Sequence, residues 1–331
     1  MSTSDSTLRF GLVGCGRISQ VHLQCLTKEP LAKLVSVADT DKKAVASTAE
    51  AFGAKGFPDA AQMFNEMKLD AVIICTPPNT HRTLSELALT SGINVLCEKP
   101  LSLSVDEAEA INAAAKRSNK ILMMASKFRY VQDIIRAKNL MESGILGEVI
   151  LFENEFCSRV DMKNRWNAKL DVAGGGVLID NGSHSVDIVR YLIGPIVDLQ
   201  AIRGKKWQQL DVEDTCRLFV RCADGTMASI DLSWSIHKES PYFIHVYGTA
   251  GTLEIGWKNA RYRQSEKLDW VNFGSGYDKF QAVGAQLHNF IRTILGEERP
   301  LITPEDAIQS VMVVQSAYRS ASLEQWQKVS K

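Results

Sequence analysis

The sequence predicts an α/β protein: an N-terminal doubly wound parallel sheet, then an α+β domain with a large open, mostly antiparallel sheet. Three observations carry this. The chain has 331 residues, beyond the size at which one hydrophobic core usually stops growing. Its first 125 residues alternate short apolar runs with helical periodicity, as βαβ units do. After about residue 126 the alternation gives way to strands and hairpin turns. The expected domains are therefore 1–125 and 126–331, with the last helix able to pack back on the first domain.

The elements follow in order. Leu8–Val13 is strand-like, and a helical stretch runs from Ile18 to Thr27. Leu34–Ala38 is a strand and Asp41–Phe52 an Ala-rich helix. Asp70–Cys75 is an almost unbroken apolar run, the mark of a strand buried on both faces. Helix Thr80–Ser91, strand Asn94–Cys97, helix Ser104–Arg117 and strand Ile121–Ala125 complete the first series. The second part opens with helix Val131–Glu142, stopped at Gly144. Strand Glu148–Ser158 comes next, and a helix from Asp180 to Leu192 follows a charged, glycine-containing loop. Strands dominate from Val197 to Ile255, with Ala223-Asp224-Gly225 turning Thr215–Cys222 into Thr226–Trp234. Helices Phe280–Leu295 and Pro304–Glu324 close the chain, Pro304 suiting a first helical turn.

Composition excludes several function classes. Lys plus Arg equals Asp plus Glu at 38 each, so nothing attracts nucleic acid or an anionic membrane. Seven cysteines, an odd number with no CxxC pair, argue against a disulfide framework or a zinc site. No metal is expected. The stretch Met1–Thr7 is polar, and no apolar run approaches about 20 residues. A cytoplasmic protein without a membrane span is the expectation.

Gly14-Cys15-Gly16-Arg17-Ile18-Ser19 lies between the first strand and first helix. Gly14 permits the tight turn, Gly16 lets a pyrophosphate approach the backbone, and the amides at Arg17 and Ile18 point at the anion. Asp39 ends the second strand, 23 positions after Gly16, where a carboxylate accepts ribose hydroxyls and repels a 2′-phosphate. Strand, glycines, helix, strand and acid in this order predict a Rossmann domain binding NAD. NADP stays open, because Lys42 and Lys43 follow closely. Thr76, Pro77, Asn79 and His81 follow the strand ending at Cys75, at the edge where parallel sheets take ligands, and are assigned to the cofactor. For Asn79 the alternative is a helix cap, and for His81 a structural role.

Glu98-Lys99-Pro100 ends the strand Asn94–Cys97. A lysine at the mouth of a buried strand needs a partner or a task. Lys99 is thus a candidate catalytic and cofactor-binding residue, with Glu98 beside it; Pro100 restricts the backbone of Lys99 and admits a cis peptide. The second cluster is Gly174-Gly175-Gly176-Val177-Leu178-Ile179-Asp180-Asn181-Gly182-Ser183-His184. The glycines are expected to let a loop reach into a crevice. Asp180 and His184 are four apart, so one helical face presents both, and a carboxylate beside an imidazole raises its basicity. The plain alternative is an N-cap Asp with a core His.

Taken together, Gly14-x-Gly16, Glu98-Lys99-Pro100 and the Gly-rich segment running through Asp180, Gly182, His184 and Asp187 resemble the Gfo/Idh/MocA family of glucose–fructose oxidoreductase and inositol dehydrogenase relatives. The resemblance spans nearly the whole chain. It implies an NAD(P)-dependent oxidoreductase moving a hydride between nicotinamide and a hydroxyl or carbonyl carbon of a sugar, cyclitol or nucleotide sugar. It also implies a homodimer or homotetramer formed through the second sheet. Lys99, Asp180 and His184 carry over as the residues that contact the reacting hydroxyl, His184 as base with Lys99 as the alternative. Arg129 after the last parallel strand, Arg165 and Trp166 in the charged loop, and Asn181 are assigned to substrate. Two other readings remain: a non-catalytic dinucleotide sensor or co-regulator, and a reductase of a non-sugar diol.

Overall fold

The computed structural model describes residues 7–238 and 240–331, with Leu268 described by its backbone alone. The polar stretch at residues 1–6 lies outside the described residues. The chain divides into two compact units. The first comprises the residues up to Lys127 together with Phe280–Ile308; the second comprises Phe128–Lys279 and Gln309–Lys331.

The first unit is built from β1 (Leu8–Val13), α1 (Arg17–Leu26), β2 (Ala32–Ala38), α2 (Lys42–Phe52), β3 (Lys55–Phe57), α3 (Ala60–Glu66), β4 (Ala71–Ile74), α4 (His81–Thr90), β5 (Asn94–Glu98), α5 (Val105–Ser118) and β6 (Leu122–Ala125). Its six strands are ordered β3-β2-β1-β4-β5-β6, and every pair is parallel. The order reverses between β1 and β4, so the crevice at their carboxyl ends is a topological switch point. All four residues of β4 are fully buried, as its unbroken apolar run requires. Helices cap as their sequences dictate. The Asp41 carboxylate accepts from the amides of Lys43 and Ala44, and Gly53 closes α2 in the left-handed region. Strand β3 and helix α3 lie where the sequence reading placed no element.

The second unit contains α6 (Gln132–Glu142), β7 (Val149–Cys157), the short α7 (Leu170–Ala173), α8 (Val177–Leu192), β8 (Ile196–Arg203), β9 (Thr215–Cys222), β10 (Met227–Ser233), β11 (Tyr242–Gly248), β12 (Gly251–Gly256), β13 (Ala260–Gln264), β14 (Lys267–Gly274) and β15 (Gln327–Lys328). Its nine strands run β14-β13-β12-β11-β7-β10-β9-β8-β15. Among the described residues only β7 and β10 of this sheet pair in parallel. Along β9 burial alternates strictly: Cys216, Leu218, Val220 and Cys222 point into the core beneath α8, while Arg217, Phe219 and Arg221 face away. On that outward face Arg217 forks onto Asp231 and Arg221 onto Asp198 across neighbouring strands.

Helix α9 (Lys279–Ile294) lies in the first unit from Phe280 onward, where Phe290 meets Phe10 of β1 edge-on. Helix α10 (Pro304–Leu323) begins with a reciprocal cap: the Thr303 hydroxyl accepts from the Asp306 amide while the Asp306 carboxylate accepts from Thr303. Among the described residues no helix is long and apolar enough to cross a membrane.

Candidate active site

In the first unit the candidate cofactor residues lie along the carboxyl ends of β1, β4 and β5, which share one edge because the sheet is parallel. Gly14 has φ +91°, and a Cβ there would stand 2.8 Å from the Cys75 carbonyl. Only glycine lets the loop lie that close to β4. A Cβ at Gly16 would meet nothing within 4 Å, so the backbone beside it borders open space. Helix α1 starts at Arg17 with no side chain capping its first amides. Ser19, fully buried, turns its hydroxyl back to the Gly16 carbonyl at 2.6 Å and so fits the third small position. Asp39 is held by two amides, Cys15 N to Oδ2 at 2.6 Å and Asp41 N to Oδ1 at 2.9 Å. Each carboxylate oxygen retains capacity for a further donor. Uncapped amides, an open glycine flank and an oriented acid are what a dinucleotide requires.

Thr76 and Pro77 are half-buried at the end of β4, and Asn79 is exposed. Each contact of Thr80 finds a proton only if Thr76 donates to Thr80 and Thr80 donates to the Pro77 carbonyl, at 2.7 and 2.8 Å. His81 is a different case from these neighbours. It is fully buried, with Nδ1 at 2.8 Å from the Pro100 carbonyl and Nε2 at 2.9 Å from the Thr76 carbonyl. The ring clips one strand end to the other and offers no surface to a cofactor, so its assignment to the cofactor is corrected to a structural one. Burial lowers its pKa, against the pull of the two carbonyls.

Glu98 likewise turns inward. Its Oε1 lies 2.8 Å from Nε2 of His22, and its Oε2 accepts from the Lys99 amide at 3.2 Å. Glu98 thereby ties α1 to the turn carrying Lys99, whose peptide to Pro100 is cis. His22 has no local signature; an imidazole among Val21 and Leu23 reveals its purpose only through a partner 76 residues away. Burial raises the Glu98 pKa, but the His22 hydrogen bond and the charges of His22, Lys127 and Lys99 outweigh it, and the net shift is downward. A depressed carboxylate stabilises the fold above its unfolded pKa near 4.5 and loses that contribution as pH falls through the lower folded value. Glu98→Gln should therefore narrow its stability gap to the parent between pH 5 and pH 3, read as melting temperature against pH. A constant gap would refute the assignment.

In the second unit, α8 carries Asp180, Asn181 and His184, all half-buried. The glycines before it serve packing, not reach. A Cβ at Gly176 would lie 1.9 Å from the Glu213 carbonyl oxygen, and one at Gly175 would lie 1.9 Å from the Tyr318 hydroxyl. The Glu213 carboxylate caps α8, its Oε1 accepting from Gly176 and Leu178 amides at 3.0 Å and from the Tyr318 hydroxyl at 2.8 Å. Burial, then the Glu213 charge, pushes the Tyr318 hydroxyl pKa well up. Gly176→Ala is expected to cost roughly 3 kcal/mol by forcing backbone apart, seen as a lower urea midpoint with unchanged slope.

Asp180 accepts from Asn167 Nδ2 at 3.2 Å, and the His184 ring meets Phe128 edge-on at 5.0 Å. Asn181 Nδ2 lies 3.5 Å from the Phe156 carbonyl. Arg165 is half-buried and Trp166 is 42% exposed, in the loop before α7. That loop is tied by Gln208, whose Oε1 accepts from Met162 N and whose Nε2 donates to the Val160 and Trp234 carbonyls, each at 3.0 Å. Arg129 is not a substrate residue. Its side chain is 5% exposed and forks onto the fully buried Asp187, with Nη2 to Oδ1 at 2.7 Å and Nε to Oδ2 at 3.0 Å. A guanidinium so buried and so paired offers little of itself to a ligand.

Comparison with known proteins now decides the family. Residues 8–126 match the Gfo/Idh/MocA oxidoreductase family with its NAD-binding Rossmann fold, and residues 134–254 match the family's C-terminal domain. This chain belongs to the Gfo/Idh/MocA family. The family member is similar to D-apiose dehydrogenase of Paraburkholderia graminis, at 26% identity over 97% of this chain and 90% of that one. It is similar to myo-inositol 2-dehydrogenase of Thermotoga maritima at 24% identity over 95% and 96%. Levoglucosan dehydrogenase in complex with NADH and levoglucosan shares its fold, with TM-score 0.91 and 22% identity over 98% of this chain and 99% of that one. The protein is thus an oxidoreductase with an NAD-binding Rossmann domain.

Proposed function

We propose that this Gfo/Idh/MocA protein is a dehydrogenase of a sugar, cyclitol or nucleotide sugar, with NAD preferred over NADP. The observation carrying the reading is the one-turn spacing of Asp180 and His184 on the half-buried face of α8, in a chain that keeps a lysine at the end of β5. When bound, the nicotinamide exchanges a hydride with the carbinol carbon. His184 takes the hydroxyl proton. Asp180 favours the charged imidazole and fixes its orientation. The Lys99 ammonium stabilises the oxygen as negative charge develops. The turn Gly14–Gly16 with the amides of Arg17 and Ile18 holds the pyrophosphate, Asp39 accepts the ribose hydroxyls, and Thr76, Pro77 and Asn79 border the nicotinamide half. Arg165, Trp166 and Asn181 contact substrate. The names of similar proteins support the substrate class: apiose, inositol and levoglucosan are all polyhydroxylated.

Two finer points belong to the same reading. The outward face of the nine-stranded sheet supports a homodimer or homotetramer, and seven cysteines with no disulfide among the described residues support a reducing, cytoplasmic setting. The test of function is a panel of sugars, inositols and nucleotide sugars with NAD and NADP, followed at 340 nm. Reduction of NAD by a member of the panel is expected. A protein that binds the dinucleotide yet reduces it with no polyol would overturn the proposal.

A further inference from the structure

The loop at residues 158–169, between β7 and α7, is gripped near its start and meets Asp180 near its end. Gln208 makes the grip, through Met162 N and the Val160 and Trp234 carbonyls. Gln208 is itself placed by Asp214, which is 1% exposed. The Asp214 Oδ2 accepts from the amides of Trp207 and Gln208 at 2.8 and 2.9 Å, and its carbonyl accepts from the Trp234 amide at 2.8 Å. The next residue of that turn, Gln209, has φ +53°, in the left-handed region where a non-glycine residue is strained. A buried acid beside strained backbone marks a shape that its surroundings enforce. From Met162 the restraint passes along the loop by main-chain bonds. The Met162 carbonyl accepts from the Arg165 amide at 3.0 Å, and the Arg165 carbonyl from the Ala168 amide at 3.1 Å. Within the second of these turns stands Asn167, half-buried, its Nδ2 3.2 Å from Asp180 Oδ2. An ionised carboxylate only accepts, so the Asn167 side chain must turn its nitrogen toward it. Two adjacent residues thus fix both partners of this contact: Glu213 caps the helix carrying Asp180, and Asp214 sets the residue that grips the loop.

We infer that Asn167 is a positioning residue for Asp180, delivered by a loop whose shape Gln208 and Asp214 set. This rests on the dehydrogenase reading, in which Asp180 orients His184. The last torsion of an aspartate is broad, so a carboxylate without a fixed donor points its charge in many directions. A donor on one oxygen selects one of them. Misdirection costs rate and leaves affinity alone, because the imidazole needs its oriented partner only while the proton moves.

The experiment is a double-mutant cycle on the full chain, with kcat and KM measured for the substrate found by the panel. Asn167→Ala should lower kcat about tenfold with KM within about twofold, yet lower it less than about twofold where Asp180 is already alanine. A residue that merely supported the fold, or touched substrate, would cost as much in either background. Gln208→Ala should cost kcat a similar factor and speed tryptic cleavage at Lys163 and Arg165 about tenfold, a readout independent of turnover. Gln208→Glu, which keeps the side chain's size and loses its donors, gives the same two readouts if the alanine variant melts below the assay temperature. The contact itself is read without turnover from the Asn167 side-chain amide signals in a correlation NMR spectrum, identified by their loss in Asn167→Ala. Asp180→Ala should shift them. An unchanged kcat in Asn167→Ala, a loss confined to KM, a full loss persisting in the Asp180→Ala background, or amide signals indifferent to Asp180→Ala would each overturn the positioning role. Gln208 variants with parental kcat and parental cleavage would overturn the grip. A parent that turns over no polyol, while its Asn167 signals do respond to Asp180→Ala, would instead sink the dehydrogenase reading and leave the contact standing.

Discussion

His184→Ala lowers kcat by about 10²–10⁴-fold, with a much smaller change in KM, because a positioned base contributes that much and only while the proton is moving. The imidazole is held against Phe128 and sits one helical turn from Asp180, so its removal leaves the helix and its neighbours in place. Steady-state NADH formation with the substrate identified by the panel measures the effect. Lys99→Ala supplies the contrast. If the ammonium is the proton acceptor, Lys99→Ala abolishes turnover and His184→Ala leaves it near normal, which would exchange the two roles.

Arg129→Ala destabilises the protein by about 3–5 kcal/mol, the usual loss when one partner of a buried ion pair is removed. Asp187 is fully buried, and Ser310 Oγ, at 3.4 Å, is a poor substitute for a bidentate guanidinium. Tyr191 also loses the cation lying 5.4 Å from its ring. Urea unfolding gives the number. Replacing both partners, Arg129→Met with Asp187→Leu, should restore much of the loss, since no buried charge is then left uncompensated. A single Arg129→Ala variant within about 0.5 kcal/mol of the parent, the range of ordinary surface changes, would show that the pair carries little of the fold.

Local signals made most of the fold readable. The apolar run of β4, the glycine loop before α1 and the turn at Gly225 each depend on residues adjacent in sequence, and each lies where expected. Strand β3 escaped notice because three residues containing Gly56 are too few to set a period. The hairpin of β13 and β14 escaped because Arg261 and Arg263 break apolar alternation. They do so while lying over Trp270, where the cations are favoured. Helix α8 was begun at Asp180 instead of Val177 because its true cap, Glu213, arrives from 37 residues downstream. The same kind of distance misled at the site. Arg129 reads as a ligand clamp until Asp187 is placed against it, and His81 reads as a cofactor residue until its two carbonyls are seen. Residue types marked Lys99, Asp180 and His184 as candidates at once. They were silent on Glu98–His22, whose role exists only as a pairing.

The cap of α8 has a consequence for how the protein is made. Glu213 is steadied by a hydroxyl from α10, 105 residues further along the chain. Asp180 and His184 are synthesised before the hydroxyl that steadies the cap of their helix. A chain cut before Tyr318 would hold Asp180 and His184 on a helix whose first turn had lost part of its anchor. Competence for turnover should therefore not precede the synthesis of α10.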